Sequence, residues 1–337
     1  MHASVQPALT IGVLGTARIV RNALLRPARI IPSVEVTVVG SRDGARGSEF
    51  ARRNGIGRSV VSYRAVVDDP TVDAIYIPLP NSQHAEWTIR AIRAGKHVLC
   101  EKPSAMTAVE SRRVAETAHG SPVAVVQAFH YRYHPFFERQ RQHLANGELG
   151  QVRSIRVSLC VPLPPGPDIR WDYELGGGAM MDLGCYAVHM LRSLTGEEPS
   201  VQSAAALTVR DHRVDRAMKA DLRFPSGIAG RLTVSLRSAR ILTLSIRVVG
   251  DAGTLHILNP LMPHLFGRSR LRNGAGVRID HAERRPSYSY QLEAFRDAAL
   301  SGAPVRTGMD DALATMRVID EVYATAGITP RTSMAEF

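Results

Sequence analysis

Along the first 130 residues, short apolar runs alternate with segments of helical period. Leu9–Gly15 is a short apolar run ending in glycine, and Arg18–Ile30 carries apolar residues at helical spacing. Val34–Gly40 is rich in β-branched residues, and Asp73–Leu79, His97–Cys100 and Val123–Phe129 are further short strand-like runs. His84–Ala94 reads as a helix stopped by Gly95. Strands alternating with helices predict a parallel sheet with crossover helices, and near-continuous Val/Ile runs suit strands buried on both faces.

Past residue 149 the pattern changes. Gly150–Val161 alternates polar and apolar positions, a Pro-rich loop spans Pro162–Pro167, and Met180–Leu194 is helical. Val201–Val209, Arg216–Phe224, Ile228–Leu236 and Ile241–Val249 then follow as strands with no helix between them. This predicts an antiparallel meander with one polar face, in the α+β manner. Tyr290–Ser301 and Met309–Ala326 close the chain as two helices. The reading is an α/β domain with a parallel sheet over residues 8–130 and an α+β domain with an open-faced, mainly antiparallel sheet over 131–337. An open face must be covered somewhere, by helices on one side and a partner subunit on the other.

The composition is that of a soluble globular protein: of 337 residues, 45% are hydrophobic and 22% charged, which excludes disorder. No apolar run approaches the roughly 20 residues that span a bilayer. Met1–Thr10 shows no basic region followed by an apolar one, so no signal peptide is expected. Cys100, Cys160 and Cys185 are odd in number and widely spaced, fitting neither a disulfide framework nor a metal site. The compartment read from them is reducing and cytoplasmic.

The net charge is +11, which raises the question of a nucleic-acid partner. The pattern argues against one. The basic residues comprise three lysines (Lys96, Lys102, Lys219) and 39 arginines, scattered along the chain with no basic tail. Part of the charge can still steer an anionic cofactor or substrate.

The turn after the first strand reads Gly12-Val-Leu-Gly15-Thr16-Ala17-Arg18-Ile19-Val20. A dinucleotide turn is G-x-G-x-x-G/A, opening a helix N-terminus onto the pyrophosphate. Aligned from Gly15, only the first glycine survives, so the strand–turn–helix context carries the reading. At the end of the second strand, an acid would bind the ribose of NAD and an arginine the 2′-phosphate of NADP. The chain offers Ser41 and Arg42, with Asp43 one residue further out. This favours NADP(H) over NAD(H), because a guanidinium is a planar, always charged fork.

Three further segments carry a resemblance: Tyr76-Ile-Pro-Leu-Pro80-Asn81-Ser-Gln-His84, Glu101-Lys102-Pro103, and Gly176-Gly-Gly-Ala-Met-Met-Asp182-Leu-Gly-Cys-Tyr186-Ala-Val-His189. Together they resemble the glucose–fructose oxidoreductase / inositol dehydrogenase / MocA family. The likeness runs from about Leu9 to Gly327 and is greatest to the branch of NADP-dependent D-xylose dehydrogenases, dihydrodiol dehydrogenases and sugar ketoreductases. It implies a Rossmann domain, a second domain with an open sheet, an active site in the cleft between them, and a homodimer or homotetramer assembled through that sheet. It implies hydride exchange with a sugar, sugar derivative or vicinal diol. An NAD-dependent polyol dehydrogenase and a dinucleotide-sensing regulator remain alternatives.

The resemblance places cofactor contacts at Gly15–Ile19, Ser41, Arg42, Pro80, Asn81, His84, Glu101 and Lys102. Lys102 and Tyr186 are candidates to carry the proton, with Asp182 orienting the substrate and holding Lys102. Burial and an oxidised nicotinamide are expected to lower the Lys102 pKa, and Lys102 in turn that of Tyr186. Asp182, Tyr186 and His189 follow one another at helical spacing and are expected to share a face. Candidate substrate contacts are His130, Arg132, Arg170, Trp171, Asp182 and His189. For Arg132 the competing role is a salt bridge, for Trp171 a loop anchor, and for His189 a core position. Gly176–Gly178 are expected to allow close backbone approach.

Overall fold

The computed structural model describes residues 8–164, 166–209, 213–238, 242–329 and 331. Positions 1–7, 165 and 241, used above for the leader, the Pro-rich loop and the start of a strand, lie outside these.

The first unit interleaves strands and helices. They are β1 (Leu9–Leu14), a π-helical turn at Arg21–Leu25 running into α1 (Arg26–Ala28), β2 (Val34–Gly40) and α2 (Gly44–Asn54). Then come β3 (Arg58–Val60), α3 (Tyr63–Val67), β4 (Ala74–Ile77), α4 (His84–Arg93), β5 (His97–Cys100), α5 (Ala108–His119) and β6 (Val125–Gln127). The strands form a parallel sheet in the order β3-β2-β1-β4-β5-β6. All four residues of β4 are buried, as a strand covered by helices on both faces requires. The chain leaves β1 toward one edge and returns through β4 toward the other, so a crevice opens between their carboxyl ends.

Of the helices absent from the periodicity reading, which include α5 as well, α2 and α3 are set by their ends. Asp43 caps α2 by accepting a hydrogen bond from the Arg46 N–H (3.0 Å), and Gly55 ends it in the left-handed region. Ser62 caps α3 in the same manner.

The second unit begins with α6 (Pro135–Ala145) and β7 (Val152–Cys160). A π-helical turn at Met180–Gly184 leads into α7 (Cys185–Thr195). There follow β8 (Ser200–Thr208), β9 (Asp215–Arg223), β10 (Ala229–Ser235), β11 (Thr243–Gly250), β12 (Gly253–Leu258), the short α8 (Pro263–Phe266), β13 (Arg268–Asn273) and β14 (Gly276–His281). The sheet order is β14-β13-β12-β11-β7-β10-β9-β8. The meander read from the sequence is therefore two antiparallel runs on either side of β7, which pairs with β10 in parallel. Ile155, Val157 and Leu159 of β7 face inward onto a core that includes Met180, Val188 and Leu191. The alternate positions face outward, leaving one side of the sheet open.

The chain ends in α9 (Ser287–Ser301) and α10 (Met309–Thr325), which return to the first unit. Leu292 and Phe295 of α9 pack with Leu9, Ile11 and Tyr76, and Met309 and Ala312 of α10 pack with Val98 and Val114. Burial of such side chains contributes about 1.5–3 kcal/mol each, which ties the C-terminal helices to the first sheet. Among the described residues no helix is long and apolar enough to cross a membrane.

Candidate active site

At the end of β1, Gly15 adopts φ +90 and donates its N–H to the Gly40 carbonyl (2.8 Å). A Cβ there would lie 3.1 Å from a Leu79 methyl, so a side chain is strained by both backbone and space. Thr16 Oγ1 is buried with no partner among the described residues. Ala17 and Ile19 pack on the first core and Arg18 is exposed. At the end of β2, Ser41 is buried and its Oγ accepts from the Asp43 N–H (3.2 Å). Asp43 is engaged as the α2 cap, whereas Arg42 is exposed and without a partner among the described residues.

The loop after β4 crosses toward the second unit. Pro80 leads into a 3-10 turn, and Asn81 Nδ2 donates to the Gly176 carbonyl (2.8 Å). His84 is buried, with Nδ1 2.6 Å from the Pro103 carbonyl and Nε2 2.8 Å from that of Leu79. Burial pushes its pKa down to about 4. His84 thus braces two loops through backbone contacts at both nitrogens.

The segment after β5 carries the densest chemistry. Glu101 accepts a hydrogen bond from the Tyr76 hydroxyl (2.7 Å), and burial raises its pKa. The Lys102–Pro103 peptide is cis. Lys102 Nζ donates to Asp182 Oδ1 (2.8 Å) and to the Asp182 carbonyl (2.9 Å), and lies 4.9 Å from the Tyr186 ring centroid. Asp182 Oδ2 accepts from Arg170 Nε (2.9 Å), while Arg170 Nη1 reaches both oxygens of Asp168 (3.1 Å each). Asp182 is therefore held between two cations. Burial works to raise its pKa, but Lys102 and Arg170 together outweigh it and the net direction is down.

Two electrostatic expectations are corrected here. Burial pulls the Lys102 ammonium down, as expected, but Asp182 and its other anionic neighbours outweigh burial, so its pKa is raised. The Tyr186 hydroxyl is raised well above its ordinary value, by burial first and then by Tyr288 and Glu101. The Lys102 ammonium, 4.9 Å from the ring centroid, does not offset these.

Asp182 lies in the π-helical turn, while Tyr186 and His189 lie in α7. Lys102 touches the first two. His189 points elsewhere: its Nδ1 is 2.5 Å from the Tyr131 hydroxyl, its Nε2 is 2.9 Å from Asp311 Oδ2, and its ring stacks on Phe129. Asp311 also accepts from Arg192 Nη1 (2.7 Å). His130 is buried against Tyr288, with Nδ1 2.8 Å from Ser287 Oγ, and burial pushes its pKa to about 3. Arg132 pairs with Glu138 of α6 (2.8 Å). Trp171 is half-buried against the second core, in a 3-10 turn beside Arg170.

The three glycines are required by close approach. A Cβ on Gly176 would lie 2.8 Å from the Asn81 Cβ, one on Gly177 2.6 Å from the Arg170 carbonyl, and one on Gly178 2.2 Å from Asp215 Oδ1. Gly178 also sits at φ +125. Buried Asp215 accepts from the Met180 N–H (2.7 Å) and the Tyr323 hydroxyl (2.8 Å), while Arg331 donates to the Gly177 carbonyl. This network anchors the turn that leads to Asp182. Tyr288, Asp215 and Asp311 escaped the sequence reading, since each lies far along the chain from the motif it supports, and Tyr76 was read only as part of a motif, without its contact to Glu101.

Residues 9–129 match the model of an oxidoreductase family with an NAD-binding Rossmann fold, and residues 137–256 match the GFO/IDH/MocA C-terminal domain. The chain is 36% identical over 319 residues to D-xylose 1-dehydrogenase (NADP(+)) 2 of Haloferax volcanii, spanning 94% of this chain and 96% of that protein. It is 31% identical over 319 residues to dTDP-3,4-didehydro-2,6-dideoxy-alpha-D-glucose 3-reductase of Actinomadura kijaniata, spanning 93% and 94%. The crystal structure of a 3-ketoreductase from Actinomadura kijaniata in complex with NADP and TDP-benzene has a TM-score of 0.87 at 29% identity, covering 94% of this chain and 98% of that one. The chain therefore belongs to the GFO/IDH/MocA family of oxidoreductases.

Proposed function

We propose that this oxidoreductase uses NADP(H) to interconvert a CH–OH and a C=O group on a sugar, sugar derivative or vicinal diol, with Lys102 and Tyr186 handling the proton. The observation that carries the reading is the convergence of Lys102, Asp182 and Tyr186, drawn from the two units, beside the crevice at the sheet's switch point. A regulator that only sensed a dinucleotide would not need this constellation.

The residues present fit a dinucleotide. Gly15 leaves room for close approach, and the orphaned Thr16 hydroxyl is a polar group without a protein partner. Arg42 is unengaged among the described residues and suits a 2′-phosphate, while Asp43, the residue an NAD ribose would call for, is committed to capping α2. The relatives named for NADP support the same cofactor. In this reading residues 8–130 carry the dinucleotide and 131–337 the substrate side.

Bound nicotinamide would supply or accept the hydride at the carbinol carbon. The chain's own work is the proton. The Tyr186 hydroxyl has no hydrogen-bond partner among the described residues and is raised in pKa, so it stays protonated at neutral pH and donates to a ketone oxygen. Lys102, held by Asp182 against the ring, stabilises the negative charge that develops as that proton leaves. In the reverse direction the Tyr186 phenolate left by that donation, with Lys102 beside it, would take the hydroxyl proton back. Arg170 keeps Asp182 oriented toward Lys102.

A fluorescence titration with NADPH and NADH tests the reading, followed by a turnover screen of aldoses, ketosugars and diols. Tight NADPH binding with weak NADH binding, together with turnover of a carbohydrate, is the expected result. NADH preference overturns the Arg42 assignment, and binding of neither cofactor by the folded protein overturns the whole proposal.

A further inference from the structure

Tyr288 stands at the start of α9, half-buried against the first core, and its ring lies tilted over that of His130 with 4.1 Å between centroids. His130 is fixed in turn. Its Nδ1 is 2.8 Å from Ser287 Oγ, and its ring meets that of Tyr186 edge-on, with centroids 6.0 Å apart. The buried imidazole therefore borders two phenols. One comes from α7 in the second unit, the other from the helix that returns to the first. Lys102 Nζ lies 4.9 Å from the same Tyr186 ring.

Neither phenol has a hydrogen-bond partner for its hydroxyl among the described residues. A tyrosine hydroxyl taken out of water ordinarily finds one. The polar groups around Tyr288 are already engaged: Tyr76 donates to Glu101 Oε1 (2.7 Å), and Ser287 holds His130 Nδ1. Yet the two orphan hydroxyls share a neighbourhood. After burial, Tyr288 is the strongest influence raising the Tyr186 pKa, and Glu101 acts on both phenols. Two hydroxyls close enough to act on each other, and not bonded to each other, leave a gap for a ligand's oxygens between them.

The fold needs the Tyr288 ring but not its hydroxyl. A phenylalanine would stack on His130 and pack on the first core equally well, with no polar atom to satisfy. Burial, followed by Glu101, raises the Tyr288 pKa, so the hydroxyl stays protonated at neutral pH and can both donate and accept a hydrogen bond. His130, kept neutral with its pKa pushed down to about 3, adds no charge beside it. The group this environment suits is a neutral alcohol, which donates and accepts as the phenol does.

We propose that Tyr288 orients the substrate: its hydroxyl binds the hydroxyl on the carbon next to the reacting one, while Tyr186 meets the reacting oxygen. The inference rests on the proposed reaction and narrows it to substrates that carry oxygens on adjacent carbons. Two phenols from different helices then read two neighbouring oxygens, and the substrate is held at two points. A site built to hydrogen-bond a substrate hydroxyl rejects the analogue that lacks it, because its own polar group is then left unpaired.

The test compares D-xylose, D-glucose and trans-1,2-cyclohexanediol with 2-deoxy-D-xylose, 2-deoxy-D-glucose and cyclohexanol, pair by pair, as substrates with NADP. Each pair is run on the full chain, on Tyr288→Phe and on Tyr290→Phe. The kcat/KM ratio, hydroxylated member over its analogue, should favour the hydroxylated member in the parent chain. It should fall by about three- to tenfold in Tyr288→Phe, the net worth of one neutral hydrogen bond. It should hold in Tyr290→Phe, which removes a phenol hydroxyl two residues along the same helix. Because the ring remains, Tyr288→Phe should melt no lower than the parent. An unchanged ratio in Tyr288→Phe overturns the inference and leaves the reaction standing; weakened NADPH binding in that case places the hydroxyl on the cofactor, and a lowered melting temperature places its partner within the fold. An equal fall in Tyr290→Phe overturns the inference too. No turnover by the parent of any aldose, ketosugar or diol overturns the reaction and the inference together.

Discussion

Lys102 and Asp182 are 80 residues apart in sequence, yet Nζ lies 2.8 Å from Oδ1 and 2.9 Å from the Asp182 carbonyl oxygen. The lysine leaves the carboxyl end of a parallel strand in the first unit. The aspartate starts the helix that lies on the sheet of the second. Their contact joins the two units at the place where the chemistry is proposed.

Replacing Asp182 tests that contact. In Asp182→Asn, Lys102 and Arg170 face one another without a carboxylate between them. The Lys102 pKa, now held above 10.5 by Asp182 despite burial, should fall. In the parent chain a raised lysine pKa contributes stability below the unfolded value, and that stability is lost as pH rises through the folded one. The variant should lose about 1–2 kcal/mol at neutral pH, since both groups retain some solvent contact, and show less further loss above pH 10.5. Melting curves across that range, and an alkaline limb of the turnover profile moved to lower pH, are the readouts.

Lys102→Ala and Tyr186→Phe should each lower turnover by about 10²–10⁴-fold, the range for loss of a positioned proton carrier. NADPH affinity should change by no more than a few-fold. Unchanged turnover in either variant removes that residue from the proposed mechanism.

Arg42→Ala should weaken NADPH by about 10–100-fold, the equivalent of one charge-assisted contact, and leave NADH nearly unaffected. Equal loss for both cofactors would show that Arg42 does not read the 2′-phosphate.

Gly178→Ala should destabilise the protein by at least about 2 kcal/mol, since φ +125 disfavours any side chain and the new Cβ would meet Asp215 Oδ1 at 2.2 Å. Because Asp215 anchors the turn before Asp182, turnover should fall as well. A normal melting temperature would show that the turn relaxes freely.

Asp311 governs the acid side. Burial works to raise its pKa, but His189 and Arg192 hold it down at about 2 against an ordinary 3.8. Its contribution, about 2 kcal/mol, is present above the unfolded value and is lost as pH falls through the folded one. Asp311→Asn should therefore lose stability at pH 7 and show a flatter acid limb between pH 4 and 2. Turnover should fall less than in Tyr186→Phe, since Asp311 touches His189 and not the Lys102 pair.

Much of the first unit was legible because its strands are Val/Ile runs whose meaning depends on nothing distant. Val34–Gly40 and His97–Cys100 occupy the strand bounds read from the pattern. α2 was missed because Gly44–Asn54 has no apolar stripe, although Asp43 and Gly55 mark its two ends. β13 was missed because Leu271 is the only apolar residue at its buried positions, and β14 because it is short and its apolar residues, Val277 and Ile279, are exposed. The Glu-Lys-Pro and Gly-Gly-Gly segments pointed to the site residues themselves.

The sequence by itself determined many of the elements, the two-sheet architecture and the short list of reactive side chains, because period, turn residues and local motifs act over a few neighbours. Which of those side chains meet was left to the tertiary structure. Strand order put β7 beside β10 and brought the Lys102 strand end to the start of the Asp182 helix. It turned His189 toward Tyr131 and Asp311, and Arg132 toward Glu138. It also reversed the expected pKa directions of Lys102 and Tyr186. Charge interactions depend on distance and burial in space, and neither is written in the spacing of residues along a chain.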